Sequence, residues 1–236
     1  MITNFRLYGA EHIVSILIPI LLGTLWILWG LRDKSEKGQK KLRITLVILI
    51  ILIRSARYIM DIYFGVFRWP DLLSLQICHI DLILLVICLI KPNKTLFNFC
   101  FIIGIPMAIS VALFPGTVHP VPGLPRAMLF IMSHTMLVMG ALYAAVVLRL
   151  KLSIKYYLGF VVLGNIALAV IYFINLKLNT NYLYIMSAPK GSIIESFNKV
   201  FGWPGYIFAL DGLAIILMFA VFCIGYFLIG KNLEIS

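Results

Sequence analysis

The chain has 236 residues, of which 62% are apolar and 12% charged, and its mean hydropathy is +1.04. That balance excludes an ordinary soluble domain and points to an integral membrane protein. The formal charge of +11 does not indicate nucleic acid, because the basic residues sit in short segments between long apolar runs; anionic lipid headgroups are the expected counter-charge.

Crossing a bilayer core takes about 20 apolar residues in helical form. Seven runs qualify: residues 12–30, 42–62, 72–90, 96–113, 127–149, 156–176 and 206–229. The opening stretch MITNFRLYGAEH has one Arg and no small-residue cleavage site follows it, so the first run is expected to stay in place. Connections are short except for the proline-rich F114-P-G-T-V-H-P-V-P-G-L-P-R126 and the segment from Lys177 to Gly205. No internal repeat or low-complexity tract interrupts the pattern. The expected fold is therefore all-α: a single multi-pass domain, residues 1–236, of about seven transmembrane helices. Its four cysteines, Cys78, Cys88, Cys100 and Cys223, lie inside apolar runs without CxxC spacing and are read as thiols.

Orientation follows from the loop charges, since cytoplasmic loops retain Lys and Arg. One side carries Arg32, Lys34, Lys37, Lys40, Lys41, Arg43, Lys91, Lys94, Arg149, Lys151, Lys155 and Lys231; the other carries Arg6, Arg68, Arg126, Lys177, Lys190 and Lys199. The excess puts the N-terminus outside and the C-terminus in the cytoplasm of a cell-membrane protein. Trp26 and Trp29 then fall at the inner interface and Trp69 and Trp203 at the outer one, as aromatic belts require.

With that orientation nearly all the intramembrane ionisable groups occupy the outer half. Cys78 and His134 each lie roughly 10 Å in from the outer end of their runs and Arg54 about 12 Å in, at helical rise; Arg57, Asp61, Asp211, Glu11 and His12 are shallower. Charge at the centre of a lipid-facing helix costs roughly 3 kcal/mol or more per residue, so these groups are expected to line a shared, outward-opening polar pocket. The two longer loops would lie over its mouth.

The stretch L75-Q-I-C-H-I-D81 raises the question of chemistry. Adjacent helical residues point about 100° apart, so Cys78 and His79 do not pair, whereas His134 in M132-S-H-T-M136 lies at matching depth on another run. A cysteine activated by a histidine is the minimal acyl-transfer pair, the histidine being oriented by a third group for which Asp211, Asp81 and Gln76 are candidates. The competing reading makes Cys78 a small buried apolar residue and His134 a packing histidine. Arg54 and Arg57 share a face and would fork a phosphate diester or carboxylate, or else neutralise Asp61, Asp81 and Asp211. Glu11 and His12 read as interfacial, and His119 in the proline-rich loop as solvated. Zinc needs three or more ligands in tetrahedral reach, and no H-x-x-x-H pair occurs; Cys78, His79, Asp81 and His134 are the set a metal would need, but neither metal nor cofactor is expected.

L75-Q-I-C-H79, I131-M-S-H-T-M-L-V138, and N181-Y-L-Y-I-M-S-A-P189 followed by G202-W-P-G-Y206 resemble the YwaF-type bacterial integral membrane proteins, grouped with the animal transmembrane protein 164. The likeness runs from Glu11 and His12 to the last apolar run. It implies a seven-helix fold and, from the animal member, a phospholipid acyltransferase with a pocket cysteine as nucleophile. Carried over by motif, Cys78 matches the nucleophile and His134 the base. The resulting expectation is an enzyme acting on phospholipid or lysophospholipid acyl chains, by transfer or hydrolysis. Arg54 or Arg57 would hold the phosphate, Gln76, Ser133 or Thr135 would donate to the oxyanion, and His79, Asp81 and Asp211 would line the pocket. The alternatives are a small-solute or ion transporter and a non-catalytic lipid-binding protein using the same pocket; against transport, the inner half offers little polar surface to continue a path.

Overall fold

A computed structural model describes residues 5–67, 75–115 and 123–230. Arg68, Trp69, His119 and Lys231, with most of the proline-rich loop, lie outside these residues. The described part is helical: α1 Ala10–Arg32, α2 Glu36–Tyr63, α3 Ile77–Ile90, α4 Lys94–Phe99, α5 Ile105–Leu113, α6 Leu124–Val146, α7 Ile154–Leu178, α8 Ile193–Phe201 and α9 Gly205–Gly225. A π turn, Cys100–Gly104, joins α4 and α5 into one rod.

Five of these rods are long and apolar enough to cross a membrane: Ala10–Arg32, Lys94–Leu113, Leu124–Val146, Ile154–Leu178 and Gly205–Ile229. The two other expected crossings fail that test for different reasons. Arg54, Arg57 and Asp61 interrupt the apolar stretch of α2, which is otherwise 28 residues long. α3 has only 14 residues, about 21 Å at helical rise, because the chain is still extended at Gln76 and the helix begins only at Ile77.

Helix ends are set by identifiable caps. Ser35 accepts from the Gly38 N–H to start α2, and Asn93 accepts from the Thr95 and Leu96 N–H groups to start α4. The segment between Lys177 and Gly205, expected as a loop, contains α8. Ser192 caps it, and Glu195 accepts from the Gly191 N–H, which holds the Glu195 carboxyl pKa below its ordinary value.

The centre of the bundle is α6, which packs against α1, α2, α3 and α5. Its sequence explains that position. Ala, Gly, Ser and Thr occur all round it, so neighbouring backbones approach closely from several directions, which is how helices associate where lipid removes the hydrophobic drive. The closest approach is to α1, where Gly23 and Gly30 face Met139, Tyr143 and Val147. α7 and α9 instead lie at the side of α4 and α5 and present Leu, Ile, Val and Phe outward, a surface suited to a hydrocarbon solvent.

A Cβ on Gly23 would lie 2.6 Å from the Met139 Cβ. Gly23→Ala is therefore expected to destabilise by about 1–3 kcal/mol through overpacking, whereas Gly159→Ala, with open space around it, should be neutral or stabilising by up to about 1 kcal/mol. Thermal unfolding in detergent checks both; equal effects would show that α1 is not seated against α6 as described.

Candidate functional site

Two polar stripes meet at the end of the bundle where α2 finishes and α6 begins. On α2, Arg54, Arg57 and Asp61 recur at the three- and four-residue spacing that puts side chains on one helix face. Arg126, Phe130 and His134 recur every four residues on α6. The helices run antiparallel, so one turn down α2 matches one turn up α6. The ends of the stripes meet first: the Asp61 carboxylate accepts from Arg126 Nε of α6 and from Arg57 Nε of its own helix, the latter at 3.1 and 3.2 Å. One turn deeper, the Arg57 guanidinium lies over the Phe130 ring, 4.6 Å from its centroid. Deeper again, Arg54 continues the stripe of α2 and His134 that of α6.

Arg54 also ties the stripes to α3. Its Nη2 donates to the Tyr58 hydroxyl at 3.0 Å and to His79 Nε2, and its guanidinium sits over the Tyr58 ring. Because Nε2 of His79 accepts, that ring is neutral with its proton on Nδ1, and Nδ1 has no hydrogen-bond partner. Cys78 is the second residue of α3, at the helix end, not a turn or more inside a longer helix as the run 72–90 suggested. The first N–H groups of α3 and the positive end of its dipole therefore face whatever anion forms at this sulfur.

His134 is buried, with its ring tilted against Phe130. Its Nδ1 lies 2.7 Å from the Phe130 carbonyl oxygen, an acceptor only, so the proton is on Nδ1 and the lone pair on Nε2. The group that orients this histidine is thus a backbone carbonyl one turn earlier, not Asp211, Asp81 or Gln76. Ser133 Oγ donates to the same carbonyl at 2.8 Å and Thr135 Oγ1 to that of Ile131 at 3.1 Å, so both hydroxyls are engaged on their own helix.

The other expected residues are placed as follows. Gln76 precedes α3, and its Oε1 accepts from the Leu183 N–H at 3.2 Å, fastening the segment between α7 and α9 over the start of that helix. Asn175, Tyr184 and Ile185 carry further links of this segment, to Tyr182, Tyr206 and Trp203 respectively. Asp81 is fully buried, but it turns to the π turn Cys100–Gly104, where its carboxylate occupies the space that a Cβ on Gly104 would need; Oδ1 has no partner. Asp211 is half-buried on α9 and faces Asn165 of α7, apart from the arginines. His12 is buried rather than interfacial: Nδ1 accepts from the Tyr8 N–H and Nε2 donates to the Ala112 carbonyl at 2.7 Å, which staples the start of α1 to the end of α5. All four cysteines are free thiols, Cys88 and Cys100 buried, Cys78 and Cys223 half-buried. Among the described residues no group of three or more His, Cys, Asp or Glu side chains is placed to hold a metal ion.

Sequence reasoning missed Arg126, which it counted as a loop charge, and the Phe130 carbonyl. The four-residue recurrence of Arg126, Phe130 and His134 was the signal available for both.

A family model described as the TMEM164 family matches residues 7–222, and the chain belongs to that family. No curated protein and no solved structure matches it.

Proposed function

We propose that this TMEM164-family member is a membrane-embedded acyl-transfer enzyme of the cell membrane, working on phospholipid or lysophospholipid acyl chains through Cys78 and His134. In this reading α2 and α3 cross the bilayer together with the five long apolar rods, the N-terminus is outside and the C-terminus cytoplasmic, and the site opens to the outer leaflet. The observation that carries the proposal is the state of His134: a carbonyl holds its Nδ1–H, so Nε2 carries the lone pair that a general base needs. That helix packs against α3, where Cys78 sits, and Arg54 bonds His79, the residue next to Cys78.

The reaction balances with these groups alone. His134 Nε2 takes the thiol proton as Cys78 Sγ attacks the ester carbonyl carbon. The C–O bond breaks, the departing lysolipid alkoxide takes the proton from His134, and an acyl thioester remains. An acceptor hydroxyl, from a second lysolipid or from water, then gives its proton to His134, attacks the thioester, and releases Cys78 as the thiol. Arg54 or Arg57 holds the headgroup phosphate. The first N–H groups of α3 serve the oxyanion, joined by Gln76, Ser133 or Thr135 when released from its present partner; one such donor is commonly worth about 3 kcal/mol.

The test combines substrate and probe. Purified protein is incubated with isotope-labelled phospholipid and lysolipid, and the products are read by lipid mass spectrometry. In parallel an acyl-directed electrophilic probe is mapped to its peptide. The expected results are labelled acyl chains on new lipids or as free fatty acid, and modification of Cys78 ahead of Cys223, which is comparably accessible. Labelling centred on Cys223, or no acyl movement with any lipid, would overturn the reading.

A further inference from the structure

The charges of the described residues around Asp61 do not cancel. Among the described residues Arg57 and Arg126 share the single carboxylate of Asp61, and Arg54 lies one turn before Arg57 on the same face of α2. Asp61 and Arg126 are buried, and the Arg57 side chain is 13% exposed. Arg54 is satisfied by neutral groups, Tyr58 and His79, and among the described residues the other intramembrane carboxylates face elsewhere, Asp81 to Gly104 and Asp211 to Asn165. Arg57 Nη1 is buried with no hydrogen-bond partner. A desolvated surplus of two guanidinium charges with an open donor is unfavourable unless an anion completes it.

From this arrangement we infer that the α2–α6 stripe is a binding site for the phosphate of an anionic glycerophospholipid, one whose headgroup carries no ammonium. The Asp61 carboxylate engages Arg57 and Arg126 through their Nε atoms, which leaves Nη1 of Arg57 and the neutral-partnered Arg54 as the donors for a phosphate oxygen pair. A phosphatidylglycerol or phosphatidate head brings one or two negative charges, which match the surplus. A choline or ethanolamine head brings its own cation to a place that already holds three, so zwitterionic lipids are selected against. The inference rests on the acyl-transfer reading for its choice of a lipid, but the charge argument does not use Cys78.

The experiment uses the full chain with Cys78→Ala, so that binding is read without turnover. Native mass spectrometry and thermal shift are followed on titration with dioleoyl phosphatidylglycerol, dioleoyl phosphatidate, dioleoyl phosphatidylcholine and inorganic phosphate. Phosphatidylglycerol and phosphatidate are expected to bind at least about tenfold more tightly than phosphatidylcholine. Arg54→Gln should erase most of that preference, Arg57→Gln should do the same where it folds, and Lys151→Gln, on an exposed residue at the opposite end of the bundle, should leave it intact. Equal binding of phosphatidylglycerol and phosphatidylcholine overturns the inference, as does a preference that survives Arg54→Gln. Stabilisation by inorganic phosphate alone, equal to that by lipid, overturns the lipid assignment in favour of a free anion. The two proposals fail separately: anionic selectivity with no acyl movement in the unmodified chain removes the enzyme and keeps the site, while turnover indifferent to headgroup charge removes the site and keeps the enzyme.

Discussion

Asp61→Ala is expected to lower stability by about 3–5 kcal/mol, because it leaves the buried Arg126 and the largely buried Arg57 without the carboxylate they share. Arg126→Met should be much milder, no more than about 1.5 kcal/mol. It forfeits a charged hydrogen bond, typically about 1.5–3 kcal/mol, but Asp61 keeps Arg57 and the repulsion among the three guanidiniums falls. Ordinary salt-bridge reasoning makes the two substitutions equivalent, since each deletes one partner of the same pair. The charge count separates them: deleting the carboxylate raises the local surplus and deleting an arginine reduces it. Thermal unfolding of the three proteins in one detergent gives the ranking. If Arg126→Met were the more damaging, the surplus of positive charge would be fictitious and the anion site would lose its basis.

The apolar rods were legible in the sequence because a bilayer asks little more than length and apolarity. Each expected run has a helix within a few residues of it. What was not legible depends on neighbours far away along the chain. The run 72–90 reads as one long helix, yet Gln76 turns its side chain to the Leu183 N–H, and Cys78 consequently sits at a helix end. The π turn Cys100–Gly104 lies opposite Asp81, a residue that no local pattern connects with it. α8 was hidden because a short amphipathic helix carries too few apolar residues to register as a crossing.

The candidate site divides in the same way. Spacing along α2 was sufficient to put Arg54, Arg57 and Asp61 on one face, since that is a property of a single helix. The opposing stripe needed the register between α2 and α6, which only packing supplies. Asp211 was drawn into the pocket by depth alone; depth is one coordinate of three, and α9 lies at the side of the bundle, where Asp211 finds Asn165. The same limit explains the misplaced orienting group. A carboxylate is visible in a sequence as a partner for histidine, while the Phe130 carbonyl is a backbone atom that every residue possesses.

Cys78→Ala is expected to reduce acyl transfer by on the order of 10⁴-fold, since the covalent route through sulfur has no substitute nearby. Its unfolding temperature should hardly move, because Cys78 is half-buried at the edge of the core and alanine removes only the sulfur. His134→Asn makes the complementary test. The asparagine amide retains a donor for the Phe130 carbonyl, so the helix keeps its local bond, but the Nε2 lone pair is gone. Turnover should fall by a similar order. If sulfur and imidazole act as one unit, the double variant should be scarcely slower than either single one, because each substitution already abolishes the shared step. Losses that multiply in the double variant would mean that the two residues act independently. Turnover that persists in Cys78→Ala would transfer the chemistry to another group, and the pairing of α3 with α6 around Arg54 would then stand as a lipid-binding arrangement alone.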